Sequence, residues 1–265
     1  MTPPLLGLTG LRSRARATSD AATLARPSGP PPTWATIGEL TSPLAAARLV
    51  AAVPRLASAP RGDGHLVVDI PGWRAPELSG APLRRYLRLL GYDARGWGFG
   101  TNTGDPRRDV ERLSASVLDL VEAAGSPASL VGWSLGGVIA REVARRHPEA
   151  VRRVVTYGTP VAGGAAYTSI GRAYGSGNGS GNDADRVARR LDARSPISVP
   201  LTVMFSRRDG VVAWQACIQE GEGGKFENVE VAGSHCGLGW NADVYRVLAD
   251  RLRQTRAGWR PYRAV

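Results

Sequence analysis

Ser134 stands in the run Gly132-Trp133-Ser134-Leu135-Gly136, after the apolar stretch Ala128-Ser129-Leu130-Val131 and before a helical pattern in which Gly137, Ile139, Ala140 and Val143 are available to pack. A strand that turns sharply into a helix brings its backbone close to neighbouring elements, and a side chain at either flanking glycine would obstruct that approach. The spacing therefore predicts a strained strand-to-helix turn with a serine at its tip. Its hydroxyl would lie over the N-terminus of the helix, where backbone N–H groups and the helix dipole favour a developing negative charge. A serine placed in this way is a candidate nucleophile, provided that a base removes its proton and an acid orients the base.

The chain has three histidines. His65 opens an apolar run and belongs to the sheet end opposite the turn. His147 precedes Pro148 at the far end of the helix after Ser134, where a cation suits the dipole. Both read as structural. His235, in Val231-Ala232-Gly233-Ser234-His235-Cys236-Gly237, lies between a strand pattern and a final helix. It is the candidate base by elimination and by position. The acid should come from a loop at the same sheet edge, between the serine and the histidine in chain order. Asp209 ends the run Leu201-Thr202-Val203-Met204-Phe205-Ser206-Arg207-Arg208-Asp209 and is followed by Gly210. Asp183, Asp185 and Asp192 fall in a polar insertion, and Glu220, Glu222 and Glu227 in a polar loop, so Asp209 is the candidate acid.

These residues need a scaffold, and the hydropathy pattern supplies one. From Gly64 onward short apolar runs alternate with longer amphipathic ones: strands at 65–72, 92–100, 129–134, 151–160, 201–209 and 226–234, and helices at 81–91, 105–124, 135–147 and 242–255. The helix at 105–124 has Asp105 and Pro106 as start signals and an apolar stripe of Val110, Leu113, Val117, Leu120 and Val121. Such alternation predicts an α/β fold with a mostly parallel sheet of about six strands and helices on both faces. Residues 1–33, rich in Pro, Arg, Ser and Thr, read as a mobile leader. Residues 34–59 read as a helical segment interrupted by Pro43 and Pro54, and 60–265 as the main domain. A Gly/Ser/Asn-rich insertion at 161–196 reads as a lid or cap.

Composition excludes several function classes. The formal charge is +11, yet Lys225 is the one lysine among 34 basic residues and the arginines are scattered beside Ala, Gly and Pro. That is compositional bias and not a nucleic-acid face. No window reaches the roughly 18 apolar residues of a membrane span, and the first residues lack the basic-then-apolar order of a signal peptide. The expectation is a cytoplasmic protein without metal or cofactor. Cys217 and Cys236 lie beside the acid and base loops, and a bridge between them would constrain the unfolded chain by about 3 kcal/mol in the loop-entropy model. A bridge would point to an extracytoplasmic site of action, because the cytosol keeps thiols reduced. The bridge is the expectation carried forward.

The chain order Ser134, Asp209, His235 after successive strands resembles the α/β-hydrolase superfamily over about residues 60–255. Thr156-Tyr157-Gly158-Thr159-Pro160 looks like the strand end after the nucleophile in bacterial lipases and related esterases. By the same resemblance Ile70-Pro71-Gly72-Trp73 corresponds to the segment after the first central strand that usually begins with His-Gly. Here Pro71 replaces the histidine and the glycine is kept. The resemblance implies an oxyanion hole built from the backbone N–H groups of Leu135 and Trp73. The run Arg95-Gly96-Trp97-Gly98-Phe99-Gly100 is similar to one found in a set of uncharacterised bacterial hydrolases; Trp97 and Phe99 either line an acyl pocket, with Trp133 beside the serine, or are ordinary core aromatics of the strand. The implied activity is serine hydrolysis of a carboxylic ester through an acyl-enzyme. The partner is a small-molecule ester, and the insertion suggests a lipid-like one. An acyltransferase built on the same acyl-enzyme is the alternative. A binding protein without catalysis is disfavoured because all three members of the constellation are present.

Overall fold

The computed structural model describes residues 16–18, 29–161, 168–169, 197–221 and 225–263. Its centre is a seven-stranded sheet. In chain order the strands are β1 (Arg16–Thr18), β2 (Leu66–Ile70), β3 (Asp93–Gly96), β4 (Ala128–Trp133), β5 (Val151–Tyr157), β6 (Leu201–Phe205) and β7 (Phe226–Glu230). Across the sheet they run β1-β7-β6-β5-β4-β2-β3. β2 to β7 are parallel, so all six of their carboxyl ends lie on one edge. β1 is antiparallel to β7, pairing Arg16 with Glu230.

The strand count exceeds the expected six because of β1. Residues 1–33 read as a mobile leader, yet three of them close the sheet edge beside β7. Backbone pairing requires no apolar pattern, which is why the composition gave no sign of it. Residues 1–15 and 19–28 lie outside the described residues, as does the expected lid apart from its edges. Those edges are tied down: Val161 donates to the Ala216 carbonyl, and Thr168 and Ser169 pair with Val212 and Val211.

Side chains on a strand alternate between its faces, and here each face meets its own helices. On one face Leu66, Val68 and Ile70 of β2, Leu130 of β4, Val154 of β5 and Val203 and Phe205 of β6 pack against helices α4 (Pro106–Ala124), α5 (Leu135–Arg146) and α6 (Trp214–Cys217). On the other, Val67, Val131, Val155, Tyr157 and Met204 pack against α3 (Ala81–Leu89) and α7 (Ala242–Leu252). Each fully buried Leu, Ile or Val contributes on the order of 2 kcal/mol. Several buried strand positions are polar, and one of them, Asp69 of β2, accepts a hydrogen bond from the Arg84 guanidinium of α3 at 2.8 Å.

Helix ends follow the sequence signals. The Asp105 side chain accepts from the Arg108 N–H at the start of α4, and Gly125 ends the helix at φ 64°. β3 stops at Gly96 instead of running to residue 100. Gly98 and Gly100 take φ values of 85° and 68°, which a strand does not accommodate, so the chain leaves the sheet there.

The glycines around Ser134 are steric requirements. A Cβ at Gly136 would overlap the carbonyl oxygens of Ile70 and Pro71, and one at Gly132 would overlap the backbone of Gly137. Both obstructions are main chain, so the strain cannot be relieved by turning a side chain. Gly136→Ala is expected to lower stability by about 3 kcal/mol and to shift the urea unfolding midpoint down. A midpoint equal to that of the parent would show that β2 and α5 have room to spare.

The amino-terminal segment folds as α1 (Thr33–Gly38), one 3-10 turn (Glu39–Thr41) and α2 (Ser42–Ala57). Pro43 sits in the first turn of α2, where no N–H is missed, and Pro54 in its last turns. The segment docks at the carboxyl edge of the sheet: the Thr36 hydroxyl donates to the Gly210 carbonyl at 3.0 Å, and the Ser42 and Ser234 hydroxyls pair at 2.9 Å.

Candidate active site

Open parallel sheets bind ligands at the carboxyl edge, where the strand order reverses. Here that point lies between β2 and β4, because β3 is added on one side of β2 and β4 on the other. Gly72 follows β2 and Ser134 follows β4. A Cβ on Gly72 would come within 3.2 Å of the Ser134 Cβ, so the two turns touch.

Ser134 has φ 53° and ψ −123°, a left-handed conformation that L residues avoid. Strain of this kind costs of order 1–3 kcal/mol and persists only where surroundings enforce it. Three contacts do so. The Ser134 N–H donates to the Tyr157 carbonyl at 3.0 Å, and the Ser134 carbonyl accepts from the Gly137 N–H and the Thr159 hydroxyl, each at 3.0 Å. The Ser134 side chain makes none of these bonds and is half-exposed. Leu135 opens α5, and the first amides of a helix have no carbonyl one turn back to meet.

His235 and Asp209 form a buried pair. The ring Nδ1 lies 2.7 Å from Asp209 Oδ2, and the two residues are 4% and 3% exposed. The other carboxylate oxygen, Oδ1, accepts the N–H groups of Val211 at 2.9 Å and Val212 at 2.7 Å, which fixes the acid in one orientation. The Ser206 hydroxyl donates to the Gly233 carbonyl and so ties the acid loop to the base loop. Burial opposes charging of the imidazole, but the Asp209 carboxylate and then Glu39 outweigh it, so the His235 pKa is raised above the usual histidine value.

The ring is flanked by residues next to the serine turn and to the strand end that the turn is bonded to. It lies 5.5 Å from the Trp133 ring, centroid to centroid, and a Cβ on Gly158, the residue after β5, would approach Nδ1 to 3.0 Å. His65 and His147 belong elsewhere. His65 bonds Ser129 Oγ at 2.8 Å and Asp63, and His147 lies beside Glu149 at the far end of α5.

The segment after β2 is shaped by a residue that the sequence did not single out. Asn102 is fully buried; its Nδ2 donates to the Pro71 carbonyl at 2.8 Å, its carbonyl accepts from Arg74 N–H at 2.7 Å, and its own N–H donates to the Ala75 carbonyl at 3.1 Å. Arg74 takes φ 57°. Trp73 is thus suspended between two positions anchored to Asn102, and its indole turns toward the Arg74 guanidinium at 5.0 Å. An asparagine in a Gly/Thr loop reads as an ordinary turn residue, so its bracing role had no sequence signal. Thr159 is a similar case.

Two expectations need correction. Cys217 and Cys236 are free thiols: Cys217 is buried in the core on the α6 side, and Cys236 is exposed in the turn after His235. Both lie beside the site in sequence, but α6 carries Cys217 down onto one sheet face while the turn Cys236–Trp240 leaves Cys236 at the surface. Burial raises the Cys217 thiol well above its usual value, and burial with Glu39 nearby pushes Cys236 up to about 11, so both stay protonated at neutral pH. Trp97 is 2% exposed, donates from Nε1 to the Gly100 carbonyl at 2.8 Å and packs with α4 in the core. It is a core residue and not a pocket wall. Phe99 is sandwiched between Trp97 and the Arg112 guanidinium, which lies 4.1 Å from its ring centre.

Strand order, a glycine-flanked elbow serine and a buried imidazole–carboxylate pair on the same sheet edge define an α/β-hydrolase fold. Residues 71–174 match the model of the alpha/beta hydrolase fold family. Over 108 residues the chain is 32% identical to the serine hydrolase BPHL of Mus musculus, covering 37% of each protein. It is 34% identical over 104 residues to the pimeloyl-[acyl-carrier protein] methyl ester esterase of Klebsiella pneumoniae, covering 36% of each. These matches span little more than a third of the relatives' length. In three dimensions the chain resembles the mature lipase BlEst2 of Bacillus licheniformis, with a TM-score of 0.57 at 16% identity, over 74% of this chain and 95% of the lipase. The chain has the α/β-hydrolase fold.

Proposed function

We propose that the protein is a serine hydrolase of carboxylic esters in which Ser134 is the nucleophile, His235 the general base and Asp209 the acid that orients it. The observation that carries this reading is the buried bond between His235 Nδ1 and Asp209 Oδ2, at 2.7 Å, on the sheet edge where the strained Ser134 turn emerges. With Nδ1 committed to the carboxylate, Nε2 is the ring nitrogen left to take a proton. Ser134 Oγ attacks the ester carbonyl as its proton passes to Nε2. The imidazolium then gives that proton to the departing alkoxide, leaving an acyl-serine and a free alcohol. Water attacks the acyl carbonyl with the same base and releases the acid. The backbone N–H groups of Leu135 and Trp73 stabilise the oxyanion, and Asn102 keeps the segment bearing Trp73 in place. The identity to an esterase and to a serine hydrolase supports the choice of ester substrates, and the insertion at 161–196 supports a lipid-like acyl part.

The test is a series of p-nitrophenyl esters from short to long acyl chains, run beside Ser134→Ala. Hydrolysis that disappears in the variant supports the reading, and the chain-length optimum gives the substrate class. Equal release of p-nitrophenol by both proteins would refute it.

The pH dependence follows from the electrostatics. The base works as neutral imidazole, and its carboxylate neighbours hold its pKa above the ordinary value of about 6.5. Protonation therefore persists to a higher pH than usual and inactivates the enzyme below it. The acid limb of kcat/KM is expected to have its midpoint above pH 6.5, with activity rising as pH increases through it. A midpoint clearly below 6.5 would contradict the assigned pair.

A further inference from the structure

A single carboxylate from outside the main domain joins the two loops that carry the acid and the base. Glu39 lies in the 3-10 turn between α1 and α2. Its Oε1 accepts the N–H of Gly210, next to Asp209, at 2.9 Å, and the N–H of His235 itself at 2.6 Å. Its Oε2 accepts the N–H of Cys236 at 2.9 Å. Three backbone donors from two loops, separated by 171 to 197 residues from Glu39 along the chain, thus converge on one side chain. The fit is close. A Cβ on Gly210 would overlap the Ala35 carbonyl, the Thr36 hydroxyl donates to the Gly210 carbonyl, and Ser42 Oγ pairs with Ser234 Oγ.

Docking a helical segment requires no charged residue at the join. A charged carboxylate accepting backbone N–H groups makes bonds roughly twice as strong as neutral ones, and it brings a negative charge to the residue that must become a cation. Among the described residues the other groups around the imidazole are few. Asp209 lies on the Nδ1 side, Trp133 from β4, Gly158 after β5 and Leu238 after the base are uncharged, and the Cys236 thiol is neutral because its pKa is pushed to about 11. Among the described residues Glu39 is thus the second anion near the ring, and its charge adds to that of Asp209 in favouring the protonated form.

We propose that Glu39 is a positioning residue for the base: its carboxylate fastens the Asp209 and His235 loops at a fixed separation, and its charge stabilises the imidazolium formed when Ser134 is deprotonated. The proposal rests on the reading of His235 as base. It assigns the segment 34–59 a part in the reaction through contacts that no substrate touches, and it implies that this segment completes the site and does not merely cover it.

The test compares Glu39→Gln and Glu39→Asp with the parent in p-nitrophenyl ester hydrolysis, together with their urea unfolding midpoints. Activity of the parent that depends on Ser134 and His235 secures the underlying reading first; its absence would refute that reading without bearing on Glu39. In Glu39→Gln one accepting oxygen becomes an amide N–H₂ that faces backbone donors, and the charge is lost. The kcat is expected to fall about tenfold with KM within about twofold, and the acid limb of the pH profile to move to lower pH by about half a unit or more. Glu39→Asp keeps the charge and shortens the reach, so kcat falls severalfold while the acid limb stays near that of the parent. Parental kcat and pH profile in folded Glu39→Gln would overturn the proposal. A lower kcat with an unmoved acid limb would also overturn it, because that is the result of a structural contact alone. Should Glu39→Gln not fold, parental kcat in Glu39→Asp would overturn it by itself.

Discussion

Ser134→Ala is expected to lower ester turnover by about 10⁴-fold or more, with the fold intact. The size of the effect follows from what is lost. Without the hydroxyl no acyl-enzyme forms, and the remaining path is direct attack by water under whatever help the oxyanion donors and binding supply. The preservation of structure follows from the bonds at the turn. Ser134 is held by its N–H and carbonyl, through Tyr157, Gly137 and Thr159, and its side chain makes none of those contacts. Alanine at φ 53° inherits the same backbone strain that serine has already accepted. Turnover measured against the unfolding midpoint separates the two consequences: loss of activity at an unchanged midpoint is the expected pair. Turnover within tenfold of the parent, in protein freed of contaminating esterase, would remove Ser134 from the mechanism. The variant should still bind substrate, so a KM or inhibition constant close to the parental value is the accompanying result.

How far these features could be read in advance depended on whether their cause is local. The turn at Ser134 was legible because glycine sterics act over a few residues, and the obstructions met by Gly132 and Gly136 come from elements that the strand-to-helix pattern itself implies. The parallel order of β2 to β7 followed from alternation, since each crossover must return over the sheet. His235 emerged from a short list of histidines and Asp209 from its place at a strand end, and the structure brings the two side chains together. What could not be read rests on contacts across long stretches of chain. Glu39 is an ordinary helix-segment glutamate until Gly210, His235 and Cys236 are seen around it. Asn102 is a turn residue until Pro71 and Arg74 meet it. Trp97 sits in a glycine-rich run that suits a pocket as well as a core, and only the packing against α4 decides between them. The expected cysteine bridge failed for a related reason. Nearness in sequence to two meeting loops does not fix the direction in which each side chain leaves its element, and α6 turns Cys217 inward.

Asp209→Asn is expected to reduce kcat by about 10³ to 10⁴-fold while leaving the loop in place. The hydrogen bonds around the carboxylate decide why an isosteric change should be so costly. Oδ1 receives the Val211 and Val212 N–H groups, so at this position an asparagine must present its carbonyl oxygen, because an N–H₂ there would face two donors. The amide nitrogen is then turned toward His235 Nδ1, which has to become an acceptor. The ring proton moves to Nε2, the atom that should receive the proton of Ser134, and the base is held in the wrong tautomer. Loss of the anion has a second consequence with a definite sign. Burial alone lowers the imidazole pKa, and Asp209 is the principal group opposing it, so the His235 pKa falls in the variant and the acid limb of any residual activity moves to lower pH. Asp209→Ala lacks the misdirecting amide but also lacks the orienting bond, and it leaves Val211 and Val212 N–H groups without their acceptor, so it is expected to lose stability as well as rate. A folded Asp209→Asn enzyme with kcat within tenfold of the parent would mean that the buried carboxylate serves only to hold its own loop, and the orienting acid would have to be sought elsewhere on the sheet edge.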